Sequence, residues 1–215
     1  MMDKYKTALS DKKFMGAALA SFALFLVSLV INFYAGIYAT QSASNPVTDI
    51  VLSNIRVYDV DLIFIYGPLL LWVFVAWLCA KEPSRIPFTV SSIALFVIIR
   101  SAFISLTHLG PFPTQAVLDY SSNFIRGFTF GGDLFFSAHT GLPFLMALNF
   151  KPLSRSLFVA FFISAIFFGI VVLLGHLHYS IDVLSAFFIT YAIFHMAEAI
   201  FKEDRQMFLS GKIGR

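Results

Sequence analysis

Two short stretches hold residue types that can do chemistry. GHLHYSID (175–182) packs two histidines, a tyrosine, a serine and an aspartate into an otherwise apolar run, and GGDLFFSAHTG (131–141) adds an aspartate, a serine and another histidine. His178 and Asp182 are four apart, a spacing that a helix stacks on one face. The carboxylate can then accept a hydrogen bond from one ring nitrogen and fix the tautomer. The other nitrogen is left as a directed lone pair, which suits a nucleophile or a base. His139 falls in the first turn of an expected helix whose N-cap is Ser137. Free N–H groups and the helix dipole favour an anion at such a start. Together these types suit transfer at phosphorus, with one histidine attacking and the other protonating the leaving oxygen. The scheme needs no metal and no other cofactor.

Arg100 is the remaining charged residue placed within an apolar run. A lone charge there is costly. Its forked donors suit phosphate oxygens; the alternatives are snorkelling to headgroups or pairing with a structural carboxylate. His176, His178 and Asp133 are ligand types for zinc, but the H-x-H spacing splays the rings on a helix, so no metal is expected. Cys79 is the single cysteine, which excludes an internal disulfide. His195 and Glu198 read as an interfacial or helix–helix pair, and Asp119 and Arg126 as solvated loop residues.

The elements that must position these groups follow from composition. The 215 residues are 59% hydrophobic and 13% charged, with a mean hydropathy of +0.83. A soluble domain of this length carries about twice that charge, so the chain reads as a polytopic membrane protein. Long continuous apolar runs argue against a β-barrel. Six spans of about 20 residues emerge, at roughly 14–39, 62–80, 86–107, 134–150, 156–175 and 177–201. The first is too long for a cleaved signal peptide and reads as an anchor.

Orientation follows from the cations. Lys4, Lys6, Lys12, Lys13, Lys81, Arg85, Lys151, Arg155, Lys202, Arg205, Lys212 and Arg215 fall on one side of a six-span arrangement; the other side has Arg56 and Arg126. Both termini are therefore expected to be cytoplasmic. The fourth and sixth spans then begin at the external leaflet, where their polar clusters meet.

At this point a resemblance enters. GGDLFFSAHT resembles the G-D-x-x-x-S-G-H-T motif of the sphingomyelin synthase family, and HLHYSIDVLSAFFIT resembles its H-x-H-Y-[ST]-x-D-V-x-x-A-[YF]-x-x-T motif. That family lies within the type-2 phosphatidic acid phosphatase superfamily. RSAFISLTHLGPFP is similar to a third family segment, so the resemblance covers about residues 95–195. It implies that His178 forms a phosphohistidine, that Asp182 orients it, and that His139 is the acid and then the base. Arg100, Asp133, Ser137, His176 and Tyr179 become the candidate substrate-binding residues. There are departures: Ala138 stands where a glycine is usual, and Leu177 where an acidic residue is expected. The K-x6-R-P signature of the phosphatase branch is absent, and Val172 occupies the place of its second arginine.

The expectation is an all-α protein with six transmembrane helices and a catalytic site at the external leaflet. It forms one transmembrane domain over 1–215, with cytoplasmic tails at 1–13 and 202–215. Its expected activity is transfer of a phospholipid phosphoester group to a lipid alcohol, ceramide or diacylglycerol, or to water. The alternatives are a lipid phosphatase acting on phosphatidic acid or an isoprenoid pyrophosphate, and a non-catalytic lipid-binding or transport protein. Membrane lipids are the expected partners, nucleic acid is not, and a homo-oligomer is allowed. The expected location is a bacterial inner (plasma) membrane.

Overall fold

The computed structural model describes residues 2–116 and 132–213. Asp119, Arg126, Gly131 and Arg215 lie outside the described residues. Among the described residues eight α-helices follow in order: α1 (Met2–Ser10), α2 (Lys12–Gln41), α3 (Asp61–Lys81), α4 (Ile86–Leu106), α5 (Ala138–Phe150), α6 (Arg155–Leu174), α7 (Ser180–Ile200) and α8 (Lys202–Ser210). No strand occurs among the described residues. An apolar backbone out of water must satisfy its own N–H and C=O groups, and helices do so segment by segment. Five of them, α2, α3, α4 with its preceding turn, α6 and α7, are long and apolar enough to cross a membrane, which marks an integral membrane protein.

The expected fourth span differs. Residues 134–137 are not helical, and α5 keeps only 13 residues. At 1.5 Å per residue that is about 20 Å, short of a hydrocarbon core of about 30 Å. The cause is local. Ser137 caps α5, its hydroxyl accepting from the Thr140 N–H, and the carbonyls of Asp133 and Phe136 are taken by the Arg100 guanidinium rather than by a helix. The helix is also the most enclosed: nine of its 13 residues are buried. It packs against α4, α6 and α7. Gly141 permits this closeness, since a Cβ there would stand 2.7 Å from the Phe96 ring and 2.8 Å from the Thr190 hydroxyl. Phe88, Phe96, Phe136, Phe150 and Phe161 fill the surrounding core.

The sixth expected span starts at Ser180 rather than at 177, so His178 precedes its helix. The expected tails are not featureless. They contain α1 and α8, which pack at one end of the bundle with the turn at 83–85. There Arg205 is buried; its Nε donates to Glu198 at 3.0 Å, its Nη1 donates to the Asn149 carbonyl at 3.0 Å, and its guanidinium lies over Phe88, Phe194 and Phe208. Glu198 also pairs with His195 at 3.1 Å, but one turn away on the same helix α7 rather than between two helices.

The segments 42–60, 107–116 and 175–179 gather at the opposite end. Backbone bonds join Ser44 N–H to His108 C=O, Tyr58 N–H to Leu174 C=O, and Ala116 N–H to Gly175 C=O.

Candidate active site

Both polar clusters lie at that second end, and a backbone bond ties them: the Ser137 N–H donates to the Asp182 carbonyl at 3.2 Å. The residue that caps α5 is thus docked on the first turn of α7. Asp182 is fully buried. Its Oδ2 accepts the Tyr179 N–H at 2.9 Å and lies 3.4 Å from His178 Nδ1. The pair therefore forms, but not on a helical face. Asp182 caps its own helix start, and the turn that it closes holds His178 against it. A separation of 3.4 Å is at the long end for a hydrogen bond, as is common before substrate tightens a site. Asp182 Oδ1 is buried without a partner among the described residues. His178 Nδ1 faces the carboxylate, so Nε2 is the nitrogen available for chemistry.

His139 stands in the first turn of α5. Its Nε2 lies 3.2 Å from the Phe64 carbonyl on α3, and its ring stacks on Phe64 with centroids 4.1 Å apart. It is within electrostatic range of both His178 and Arg100. An apolar cleft of about 150 Å³, lined by Pro68, Leu71, Trp72, Leu142, Pro143 and Phe168, opens beside the ring.

Arg100 is 5% exposed and committed to protein. Nε donates to the Phe136 carbonyl at 2.7 Å, Nη1 to the Asp133 carboxylate at 3.2 Å, and Nη2 to the Asp133 carbonyl. The structural carboxylate is thus its partner here, and these bonds fix the lead into His139. Ser137 is buried and serves as the N-cap.

His176 and Tyr179 point into the loop packing. His176, in the left-handed region at φ +52°, has Nδ1 2.6 Å from the Thr114 hydroxyl, and its ring meets Phe112 edge-on. Burial holds it below the ordinary imidazole value, partly offset by the Ile55 carbonyl and the Asp49 charge. The Tyr179 hydroxyl donates to the Gly110 carbonyl at 2.8 Å and accepts from the Val47 N–H at 3.2 Å, bracing two loops at once. Among the described residues no group of three or more His, Cys, Asp or Glu side chains is placed to hold a metal ion.

Residues 131–199 match the family described as PAP2 superfamily C-terminal. The stretch is less than half of the chain, and it contains both polar clusters, α5, α6 and nearly all of α7. It supports the type-2 phosphatidic acid phosphatase superfamily, whose members are phosphatases and phosphotransferases, without selecting the sphingomyelin synthase branch. No curated protein and no solved structure matches the chain.

Within this PAP2-like stretch the departures have structural settings. Ala138 opens α5 without positive φ, so a Cβ is acceptable there. Leu177 and Val172 are buried together with Val60 and Val171, and the Leu177 N–H donates to the Val172 carbonyl. The two positions where charge is expected from the motifs thus form a single apolar patch.

Two features had no sequence signal of their own. Asp49, in the loop after α2, is buried and reaches α7: its Oδ2 accepts both the Ser180 N–H at 2.7 Å and the Ser180 hydroxyl at 2.8 Å. Its Oδ1 takes the N–H groups of Val51 and Leu52. Burial pushes the Asp49 carboxyl up, but these bonds outweigh it and hold it below its ordinary value. Phe64 is the other, because its contribution is a backbone carbonyl.

Proposed function

We propose that this protein is an integral-membrane lipid phosphotransferase or phosphatase that works through a phosphohistidine on His178. The observation that carries the reading is the bond from Ser137 N–H to the Asp182 carbonyl. It sets the His139 helix start against the His178–Asp182 pair, inside the stretch that matches the PAP2 superfamily.

The His178 Nε2 lone pair attacks phosphorus, and the bond from phosphorus to the leaving lipid oxygen breaks. A proton from His139 goes to that oxygen. Asp182 holds the ring and offsets the charge that it gains. In the second step His139 takes a proton from water or from a lipid hydroxyl such as that of ceramide or diacylglycerol. That oxygen attacks phosphorus, the P–N bond breaks, and His178 is restored. The Ala138 and His139 N–H groups, at the positive end of α5, are available to the phosphoryl oxygens. Arg100 organises the 133–137 lead through its bonds to Asp133 and Phe136.

In this reading the chain crosses the membrane six times, α5 being a short crossing enclosed by its neighbours. The site faces the external leaflet of a plasma membrane, and both termini are cytoplasmic. Alternation of helix ends supports it, as does the gathering of Lys4, Lys13, Lys81, Arg85, Lys151 and Lys212 at the α1–α8 end.

The test is purified protein with a mixed pool of phosphatidylcholine, phosphatidylethanolamine, phosphatidic acid, diacylglycerol and ceramide, followed by identification of the phosphorus-containing products. Wild type should form an acid-labile phosphoenzyme and turn a donor over; His178→Ala should do neither. Turnover by folded His178→Ala would remove the mechanism. Unchanged lipids with wild type would favour a lipid-binding protein.

A further inference from the structure

α3 has a proline in its interior, Pro68, in the segment FIYGP (64–68). Proline has no N–H, so the carbonyl four residues earlier has no i+4 donor. That carbonyl belongs to Phe64, and His139 Nε2 stands 3.2 Å from it. A carbonyl oxygen only accepts, so the ring nitrogen facing it carries the proton. The neighbouring glycine serves the same ring. A Cβ on Gly67 would stand 2.5 Å from Phe168 Cε1, and Phe168 meets the His139 ring edge-on at 6.5 Å. Phe64 stacks on one face, with the planes 19° apart.

We propose that Pro68 is a positioning residue for His139: by leaving the Phe64 carbonyl without a helical donor, it fixes His139 as the Nε2–H tautomer and makes Nδ1 the nitrogen that exchanges the catalytic proton. The catalytic half rests on the acid–base role proposed above for His139; the tautomer half does not. Nδ1 has no hydrogen-bond partner among the described residues, as a proton-exchanging nitrogen requires.

The experiment uses full-length protein labelled with ¹⁵N-histidine in detergent micelles, at a pH where the ring is neutral, with His139→Gln identifying the His139 signals. Wild type should show a protonated-type signal at Nε2 and an imine-type signal at Nδ1. An Nδ1–H ring in wild type overturns the proposal whatever the variants do. Pro68→Ala supplies an N–H that takes the Phe64 carbonyl back into the helix, and a mixture of tautomers should appear. An unchanged pattern in folded Pro68→Ala overturns the proposal. Phe64→Leu keeps the carbonyl and removes the stacked ring, so it should retain the wild-type tautomer; scrambling there would assign the positioning to the stack instead.

Kinetics tests the catalytic half. Pro68→Ala should lower kcat about tenfold on a lipid donor with a poor leaving group, and less than twofold on a nitrophenyl phosphodiester, whose leaving group needs no proton. Equal loss on both overturns the positioning role. Absence of a phosphoenzyme in wild type would instead defeat the mechanism and leave the tautomer result standing.

Discussion

Arg100 and Arg205 are buried arginines at opposite ends of the bundle, and both hold the same helix. Arg100 binds the Asp133 and Phe136 carbonyls just ahead of α5, and Arg205 binds the Asn149 carbonyl in its last turn. Each also has a carboxylate, Asp133 or Glu198. The surroundings differ. Arg205 is sealed among three phenylalanine rings, whereas Arg100 adjoins a site with an unpartnered carboxylate oxygen and two histidines. One device thus closes the end of a helix in one place and aims a side chain in the other. A buried arginine in an apolar helix does not by itself mark a ligand site; its neighbours decide.

The largest effect expected at the site end is on rate. Asp182→Asn should keep the fold and lose roughly 10²–10⁴ in kcat, because His178 loses its orienting anion. Full activity in this variant, measured by initial rates on the lipid pool, would break the assignment of Asp182.

The two arginines should separate next. Arg100→Met frees the lead into α5, and a displacement of about 1 Å at His139 should lower kcat by about 10². Arg205→Met should leave kcat of the folded protein within about twofold while lowering stability by about 3 kcal/mol, the upper end of what losing hydrogen bonds from a charged donor to the half-exposed Glu198 and the Asn149 carbonyl costs. Thermal unfolding in detergent alongside initial rates checks both. Equal rate losses in the two variants would erase the difference drawn between the ends.

The smallest effect concerns Asp49. Its folded value is depressed, so its contribution is present above the ordinary carboxylate range and is lost as pH falls through the folded value. Asp49→Asn should cost about 1 kcal/mol at neutral pH, the scale of a helix cap. It should also flatten the acid limb of the stability curve below about pH 4. A limb as steep as that of wild type would show that other carboxylates set it.

The sequence carried the helices well because apolar length is a local property. Expected spans at 14–39, 62–80, 86–107 and 156–175 fall within two residues of α2, α3, α4 and α6 at every boundary. Spans four and six start late because side chains distant in sequence intervene: Arg100 takes the carbonyls that would lengthen α5, and Asp49 with Asp182 fixes where α7 begins.

The same division runs through the site. Residue type and spacing alone determined that His178 and Asp182 can pair and that Ser137 can cap the helix of His139, since each involves partners within four residues. Only the tertiary structure decided that the pair forms across a helix cap, that Arg100 binds Asp133, and that the Phe64 carbonyl meets His139. The last two contacts join positions 33 and 75 residues apart in the chain. A backbone carbonyl left without its helical donor has no side-chain identity to read, so what it bonds is settled only when α3 and α5 pack together.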